Sequence, residues 1–288
     1  MPKVAIVTDS NSGITQKQGR ELGVCVIPMP FMINDMPYFE DINLTQEAFY
    51  EKLSDDETIL TSQPSPEVIL DTWDALLKEY DEIVHIPMSS GLSGAFQSAY
   101  MLSQDYEGKV QIVNNQRISV PQQLSVLDAL SMAEKGKTAK EIKEFLEEDK
   151  FNSAIYIMVD TLTYLKKGGR ITPAVATIGN ILKIKPILQI HGEKLDTFAK
   201  ARTLSQAKSM MLNALKNDLS KHFGEISPEK ANLQIAYTKD SQAAEELKLE
   251  MEKEFPGFDI LMAPLSLSVS CHIGPGALGV AWCKKNQF

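Results

Sequence analysis

A stretch of hydroxyl-bearing and glycine residues, Pro87–Gly94, lies where a buried strand ends and a helix begins. The apolar run at 82–87 favours a strand covered on both faces, and apolar residues recur at helical spacing after Gly94. The stretch contains three serines and two glycines: Ser89, Ser90, Gly91, Ser93 and Gly94. Because a helix start presents unpaired N–H groups and the positive end of its dipole, the stretch predicts a carboxylate or phosphate site.

The simpler interpretation of this stretch is that one serine is an N-cap, which uses only one of the three hydroxyls. A second hydroxyl-rich turn occurs at 61–66. There Ser65, followed by Pro66, is a clear helix start signal. That leaves Thr61 and Ser62 available to contact a ligand.

His272 is the histidine whose neighbours most favour a functional role. It lies in 260–282, a segment without Asp, Glu, Lys or Arg, whose length would suit a membrane span. Because prolines, glycines and serines interrupt it, we expect a buried strand, a polar loop and a second buried strand. A histidine in such a loop is a candidate donor to an anion. Cys271 beside it is not a convincing metal partner, and we expect His85 to be structural.

A nucleophilic alternative remains open, because Gly91–Ala95 comes close to the GxSxG nucleophile elbow. In this serine hydrolase hypothesis Ser93 is the nucleophile and His272 the base. The fifth position is alanine instead of glycine, and the triad also needs an acid. Four aspartates lie between Ser93 and His272 in the chain, and no feature singles one out as the acid: Asp160, Asp196, Asp240 and Asp259.

Two arginines follow predicted turns. Arg170 comes after two glycines, and Arg202 comes after a predicted hairpin at 185–200. Surface arginines usually contribute only solvation and weak pairing. The alternative is that the two basic loop tips meet a phosphate or an acidic partner.

The order of predicted elements indicates two domains. Strands alternate with helices through 1–151, which indicates an N-terminal α/β domain with a parallel sheet. Ligands of such sheets bind beyond the carboxyl ends of the strands, where the hydroxyl-rich turns lie. Hairpins mixed with helices, including one that begins at Thr172 and Pro173, indicate an α+β domain over 152–288.

The composition excludes several classes of function. A net charge of −9 without a Lys/Arg block weighs against nucleic acid as a partner. Three scattered cysteines without a CxxC pair indicate a reduced, cytoplasmic protein without a disulfide framework or zinc site. No GxxxxGK[ST] loop, metal cluster or cofactor motif is present, so we expect no ATP binding, metal or cofactor.

Six segments together resemble the DegV family, the fatty-acid-binding subunits of bacterial fatty acid kinase. They follow the family's order over almost the whole chain: Val7–Ser10, Thr61–Ser65, Ser89–Gly94, Leu165–Arg170, Ile184–Ile187 and His272–Gly279. The resemblance implies a two-domain α/β fold, with a parallel-sheet N-terminal domain and a C-terminal α+β domain whose mixed sheet is partly antiparallel. It also implies one long-chain fatty acid buried between the domains.

The resemblance further implies roles for particular residues. The fatty acid carboxylate would be bound by Thr61, Ser62, Ser93, Gly94, His272 and Ile273. Arg170 and Arg202 would face a separate kinase subunit and the phosphoryl group. That kinase would use ATP to form an acyl phosphate for phospholipid synthesis, so the chain itself would have no catalytic residue. Transient membrane contact is compatible with this role, and a transmembrane segment is not expected.

The chain departs from the family pattern at 114–121, where an Asp-Ser and a glycine-bearing turn are usual. It has Asn114-Asn-Gln-Arg-Ile-Ser-Val-Pro121 instead. We therefore expect this loop to fold differently and to influence acyl chain preference more than head-group binding.

Overall fold

The computed structural model describes residues 1–53, 58–170 and 184–288, which form two compact units. The first contains Met1–Thr45, the described residues from 58 to 151, and Phe288. Its main elements are β1 (Val4–Asp9), α1 (Gln16–Leu22), β2 (Val24–Ile27), β3 (Phe31–Ile33), β4 (Met36–Tyr38), β5 (Ile59–Thr61), α3 (Pro66–Leu76), β6 (Glu82–Ile86), α4 (Ala95–Ser103), β7 (Val110–Ile112), α5 (Ser119–Glu134) and α6 (Ala139–Glu148).

The second unit contains residues 46–53 and the described residues from 152 to 287. Its main elements are α2 (Gln46–Lys52), β8 (Ser153–Met158), α7 (Thr163–Lys167), β9 (Lys185–Ile190), β10 (Leu195–Ala201), α8 (Leu204–Phe223), β11 (Ala231–Tyr237), α9 (Ser241–Glu254), β12 (Ile260–Pro264), α10 (Leu267–Ile273) and β13 (Leu278–Lys284).

The main sheet of the first unit is parallel, as predicted, with strand order β2-β1-β6-β7. Alternate side chains of β6 enter separate clusters: Ile83 packs with Trp73 of α3, and Val84 packs with Ile142 of α6. Helices therefore cover both faces of the sheet, which explains why its strands are continuous apolar runs. The turn at 87–94 lies at the edge of the sheet where the carboxyl ends of the strands meet.

A small antiparallel sheet, β4-β3-β5, also belongs to the first unit and was not predicted. Each of its strands has three residues, too few to show an alternating pattern. Thr61 is the last residue of β5 and pairs with Phe31. The predicted ligand turn at 61–66 therefore begins inside a strand.

The second unit contains a six-stranded mixed sheet, as predicted, with order β10-β9-β8-β13-β11-β12. Only the β11–β12 pair is parallel among its described strands, and the predicted hairpin forms the β9–β10 pair. Asp218 of α8 accepts hydrogen bonds from Tyr156 Oη (2.7 Å) and Trp282 Nε1 (2.9 Å). These bonds fix α8 to strands β8 and β13.

The segment 46–53, which the sequence assigned to the N-terminal domain, groups with the second unit. Gln46 Nε2 donates to Leu265 O (3.1 Å), and Tyr50 Oη donates to Ser270 Oγ (3.0 Å). Both partners lie more than 200 positions away in the chain. Local sequence patterns carry no information about contacts at that separation.

The segment around His272 is helical where a polar loop was predicted. Leu267 and Cys271, one helical turn apart, are both buried, and Gly274 ends α10 with φ 76°. A seven-residue helix with two serines has few of the usual helix signals, because serine is a poor helix former and the N-cap side chain makes no capping bond to the first turn. His272 therefore lies on the last turn of a short helix.

Two further expectations meet different outcomes. The helix predicted from Thr172 and Pro173 to Leu182 lies outside the described residues. At 260–282, where no transmembrane segment was expected, the structure has β12, α10 and β13; among the described residues, no helix is both long and apolar enough to cross a membrane.

A buried carboxylate joins the carboxyl ends of β1 and β6. Asp9 Oδ2 accepts from the Met88 N–H (2.8 Å), and Oδ1 accepts from the Asn11 N–H (3.0 Å) and from Gln122 Nε2 (3.3 Å). Asp9 is thus the capping carboxylate of a short 3-10 helix, Ser10–Ser12, and an anchor for the turn after β6. Burial raises the pKa of Asp9 to about 6, because the ionised form is desolvated.

The atypical segment 114–121 contains a buried ion pair. Arg117 Nη2 lies 2.8 Å from Asp149 Oδ2, and the two side chains are 2% and 3% exposed. Arg117 Nη1 donates to Ser125 Oγ (3.1 Å), and the Arg117 carbonyl accepts from the Ser89 N–H (2.8 Å). The segment that departs from the family pattern therefore supports the turn carrying Ser89.

Replacing Asp149 by asparagine leaves the Arg117 charge buried without its counter-ion. We expect the free energy of unfolding to fall by about 3–5 kcal/mol. The matched control is Glu144→Gln, since Glu144 pairs with Lys140 at 3.8 Å on the exposed face of α6 and should cost less than about 0.5 kcal/mol. Urea denaturation of both variants measures the difference, and equal small losses would contradict a structural role for the buried pair.

Replacing Asp9 by asparagine removes its titration and should change how stability depends on pH. The folded-state pKa of about 6 exceeds the ordinary value of 3.8, so the folded protein binds the extra proton in this window. The stability that Asp9 provides is therefore present below pH 3.8 and lost as pH rises through 6. The free energy of unfolding of Asp9→Asn minus that of the wild type should therefore rise by on the order of 3 kcal/mol as the pH goes from 4 to 7.5.

Comparing the two proteins at each pH cancels the contributions of His85 and His272, which burial shifts in the opposite direction. Urea denaturation at several pH values supplies the measurement. A difference that stays constant across this range would show that Asp9 has an ordinary pKa.

Candidate functional site

The turn between β6 and α4 carries the predicted anion site of the first unit. Ser89 is buried, and its carbonyl accepts from the Ser93 N–H (3.2 Å). Ser93 Oγ accepts from the Ala95 N–H (3.1 Å), which leaves its own hydrogen able to donate. Gly94 occupies the N-cap position of α4 without a side-chain bond, so none of this turn's three serines is the N-cap.

A second turn lies beside the first. Gln63 Nε2 donates to Ser98 Oγ of α4 (2.5 Å), and Gln63 Oε1 lies 2.6 Å from where a Cβ on Gly94 would stand. Thr61 and Ser62 immediately precede this glutamine. Through Gln63, the structure therefore brings the segment 61–63 next to the start of α4.

Gln63 was not among the residues predicted for this site. Gly94 has φ −71°, a conformation open to any residue, so the glycine matters because it leaves room for the glutamine side chain. The signal available in the sequence was the placement of Gln63 between Ser62 and Pro64. A contact with Ser98, 35 positions away, is not readable from that placement.

The second unit carries the predicted histidine on α10. Burial, together with the nearby Arg170 charge, lowers the pKa of His272 to about 4. At neutral pH the imidazole is therefore uncharged, with one nitrogen able to donate and one able to accept. Ile273, the next predicted residue, is buried, and Gly274 follows it with a left-handed backbone.

The same shift weighs against the serine hydrolase alternative. A general base works best with a pKa near the operating pH, and a carboxylate partner would raise the histidine pKa. Burial and the positive charge of Arg170 instead lower the pKa of His272 to about 4. His272 is thus poorly suited to deprotonate Ser93, whereas it retains a neutral donor.

The two predicted arginines are exposed and held by different elements. The Arg170 N–H donates to Leu165 O (3.1 Å), and Arg170 Nη1 donates to Gly168 O (2.6 Å), which fold it back on the end of α7. Arg202 follows β10, and its N–H donates to Gln206 Oε1 of α8 (2.8 Å). Both guanidinium groups are placed on the surface of the second unit.

The predicted site residues of the two units offer uncharged hydrogen-bond donors, apart from the two arginines. Within the part of the chain that the structure describes, no three side chains of His, Cys, Asp or Glu lie close enough to hold a metal ion. The chemistry offered by the predicted site residues is therefore hydrogen bonding by hydroxyl, imidazole and backbone N–H groups.

Sequence relatives match the chain over nearly its full length. Protein DegV of Bacillus subtilis is 32% identical over 286 residues, covering 98% of this chain and 99% of the relative. A DegV domain-containing protein of Halalkalibacterium halodurans is 30% identical over 285 residues, with 98% and 99% coverage.

Solved structures match the fold equally completely. A DegV family protein from Thermus thermophilus, described by its fatty acid binding, has a TM-score of 0.89 at 27% identity, covering 98% of this chain and 100% of that one. Bacillus subtilis DegV, described as a fatty acid binding protein, has a TM-score of 0.87 at 29% identity, with 99% and 100% coverage.

The match to a family of sequences agrees with both comparisons. The model of the DegV family, described there as uncharacterised proteins, matches residues 3–285. That range includes nearly all of both units and every candidate site residue described above. The chain belongs to the DegV family.

Proposed function

We propose that this chain binds one long-chain fatty acid and presents its carboxylate to a separate ATP-dependent kinase protein. The observation that carries the proposal is the full-length likeness to two DegV proteins described as fatty acid binding, with TM-scores of 0.89 and 0.87. The uncharged hydrogen-bonding groups of the candidate site fit a carboxylate head group.

In this proposal the carboxylate is bound by neutral donors. The hydroxyls of Thr61, Ser62 and Ser93 and the neutral imidazole of His272 each supply one hydrogen, and the N–H group of Gly94 can add one more. Ile273 is the last residue of α10, where backbone N–H groups bond within the helix, so its part is to lie beside His272. A hydrogen bond to a charged acceptor contributes about 1.5–3 kcal/mol. Because none of these donors carries a charge, the carboxylate oxygens keep their nucleophilic character.

The acyl chain supplies most of the affinity. Each CH₂ group removed from water contributes about 0.8 kcal/mol, so a long chain outweighs the cost of desolvating one carboxylate. The head-group contacts then fix the orientation of the lipid. This division predicts that changes at the polar site weaken binding without abolishing it.

The reaction we propose for the bound fatty acid takes place with the kinase protein's ATP. A carboxylate oxygen attacks the γ-phosphorus, the new O–P bond forms, and the bond to the β-phosphate oxygen breaks with release of ADP. The product is an acyl phosphate, an activated donor for phospholipid synthesis. Exposed Arg170 and Arg202 suit contacts with the phosphoryl group or with acidic residues of the kinase.

Native mass spectrometry of the purified wild-type protein tests fatty acid binding directly. We expect a mass increment equal to one fatty acid per chain, released on denaturation and identified as a free acid. A protein that arrives empty and takes up no added fatty acid would contradict the proposal and favour an esterase assay instead.

The double variant Ser93→Ala with His272→Ala should bind fatty acid about 100-fold more weakly, because two donors to the carboxylate are lost. Its affinity for the corresponding fatty alcohol should change less, since an alcohol carries no charge. Ser220→Ala, on the exposed face of α8, is the matched control and should match the wild type. Equal losses for acid and alcohol would move the head group away from these residues.

Arg202→Glu should retain fatty acid and lose most acyl phosphate formation when the kinase protein and ATP are supplied. The expectation follows from its exposed guanidinium, which reversal of charge turns into a repulsive group. Lys140→Glu on α6 is an exposed charge-reversal control. If Arg202→Glu loses the lipid itself, the arginine belongs to the binding site.

A further inference from the structure

Two short helices of the second unit, α7 and α10, pack against each other through aromatic side chains. In each contact, the ring of a residue from one helix packs against the glycine that follows the other helix. A Cβ built on Gly168, which follows α7, would stand 1.9 Å from His272 Nδ1, 2.6 Å from Cε1 and 3.2 Å from Cγ. No side chain fits there while the imidazole keeps its place. The His272 ring therefore occupies the space that any other residue at 168 would fill.

The backbone of Gly168 gives no other reason for a glycine. Its φ of −76° and ψ of −7° are ordinary right-handed values that alanine adopts without strain. The next residue, Gly169, differs: its φ is +68°, and a Cβ there would meet nothing within 4 Å. Glycine is therefore required at the two adjacent positions for different reasons. At 168 it leaves room for the His272 ring, and at 169 it allows a left-handed backbone.

The contact is reciprocated at the end of the other helix. A Cβ on Gly274, which follows α10, would stand 2.3 Å from Cδ2 and 2.6 Å from Cε2 of the Tyr164 ring. Each helix therefore supplies one ring and one glycine, His272 with Gly274 and Tyr164 with Gly168. These two contacts, one made by a ring of each helix, hold α7 and α10 against each other.

We propose that Gly168 is a positioning residue for His272, and that the missing side chain at 168 sets where the imidazole presents its donor. The consequence is that binding of the fatty acid head group depends on Gly168, although Gly168 has no side chain to contact it. This consequence rests on the proposed function. The position of the imidazole can be measured whether or not a lipid is bound.

A thermal double-mutant cycle tests the geometry. Gly168→Ala should lower the melting temperature by about 5 °C or more, because the ring must leave its place. In the His272→Ala background the space is empty, and adding Gly168→Ala should change the melting temperature by less than about 1 °C. If Gly168→Ala alone fails to fold, the double variant should still fold like His272→Ala.

Gly169→Ala is the matched control, because it strains the backbone and touches no ring. Its loss should be the same with and without the imidazole. An equal loss from Gly168→Ala in both backgrounds would overturn the proposal, since it would show that the glycine serves the backbone alone.

Titration of the His272 ring by NMR supplies a readout that a purely structural role would not move. We expect the pKa, about 4 in the wild type, to rise toward 6.5 in Gly168→Ala as the displaced ring gains water. An unchanged His272 pKa in folded Gly168→Ala would contradict the proposal.

Fatty acid affinity is the functional arm. It should fall about tenfold in folded Gly168→Ala, with a smaller change for a fatty alcohol of the same length. A wild type that binds no fatty acid would remove the proposed function, whereas the thermal cycle and the NMR titration would still decide the role of Gly168.

Discussion

The first unit depends on one buried carboxylate at the edge of a parallel sheet. Asp9 receives N–H groups from Met88 and Asn11 and an amide from Gln122, so it fixes strand β1, the turn after β6 and helix α5 relative to each other. Burying an ionisable group is costly, and the cost appears as a raised pKa. In return, the turn carrying Ser89 and Ser93 has a rigid base, which a hydrogen-bonding site requires.

The two units use the same kind of chemistry in different forms. In the first, the Ser93 hydroxyl accepts from the Ala95 N–H at the start of α4, and the Gln63 side chain lies across Gly94. In the second, an uncharged imidazole lies across Gly168. Both glycines have right-handed backbones, so in both places a missing side chain makes room for a polar group.

Local rules predicted much of the fold. The helix start at Ser65, the parallel sheet and the hairpin after Lys185 all follow from signals a few residues long. The α10 helix and the β4-β3-β5 sheet were missed, because a helix of seven residues and strands of three residues carry no clear period. For the site, residue types indicated the hydroxyls and His272, but Gln63 and Gly168 act through partners 35 and 104 positions away, which no local pattern encodes.

The place of α2 in the second unit has a consequence for how the chain is made. Tyr50 and its hydrogen-bond partner Ser270 are 220 positions apart, so at about 5 to 20 residues per second Ser270 is synthesised about 10 to 45 s later. Strands β1 to β7 are all complete long before that moment. The nascent first unit therefore has to carry α2, with its apolar Phe49, as an undocked segment until Ser270 has been synthesised.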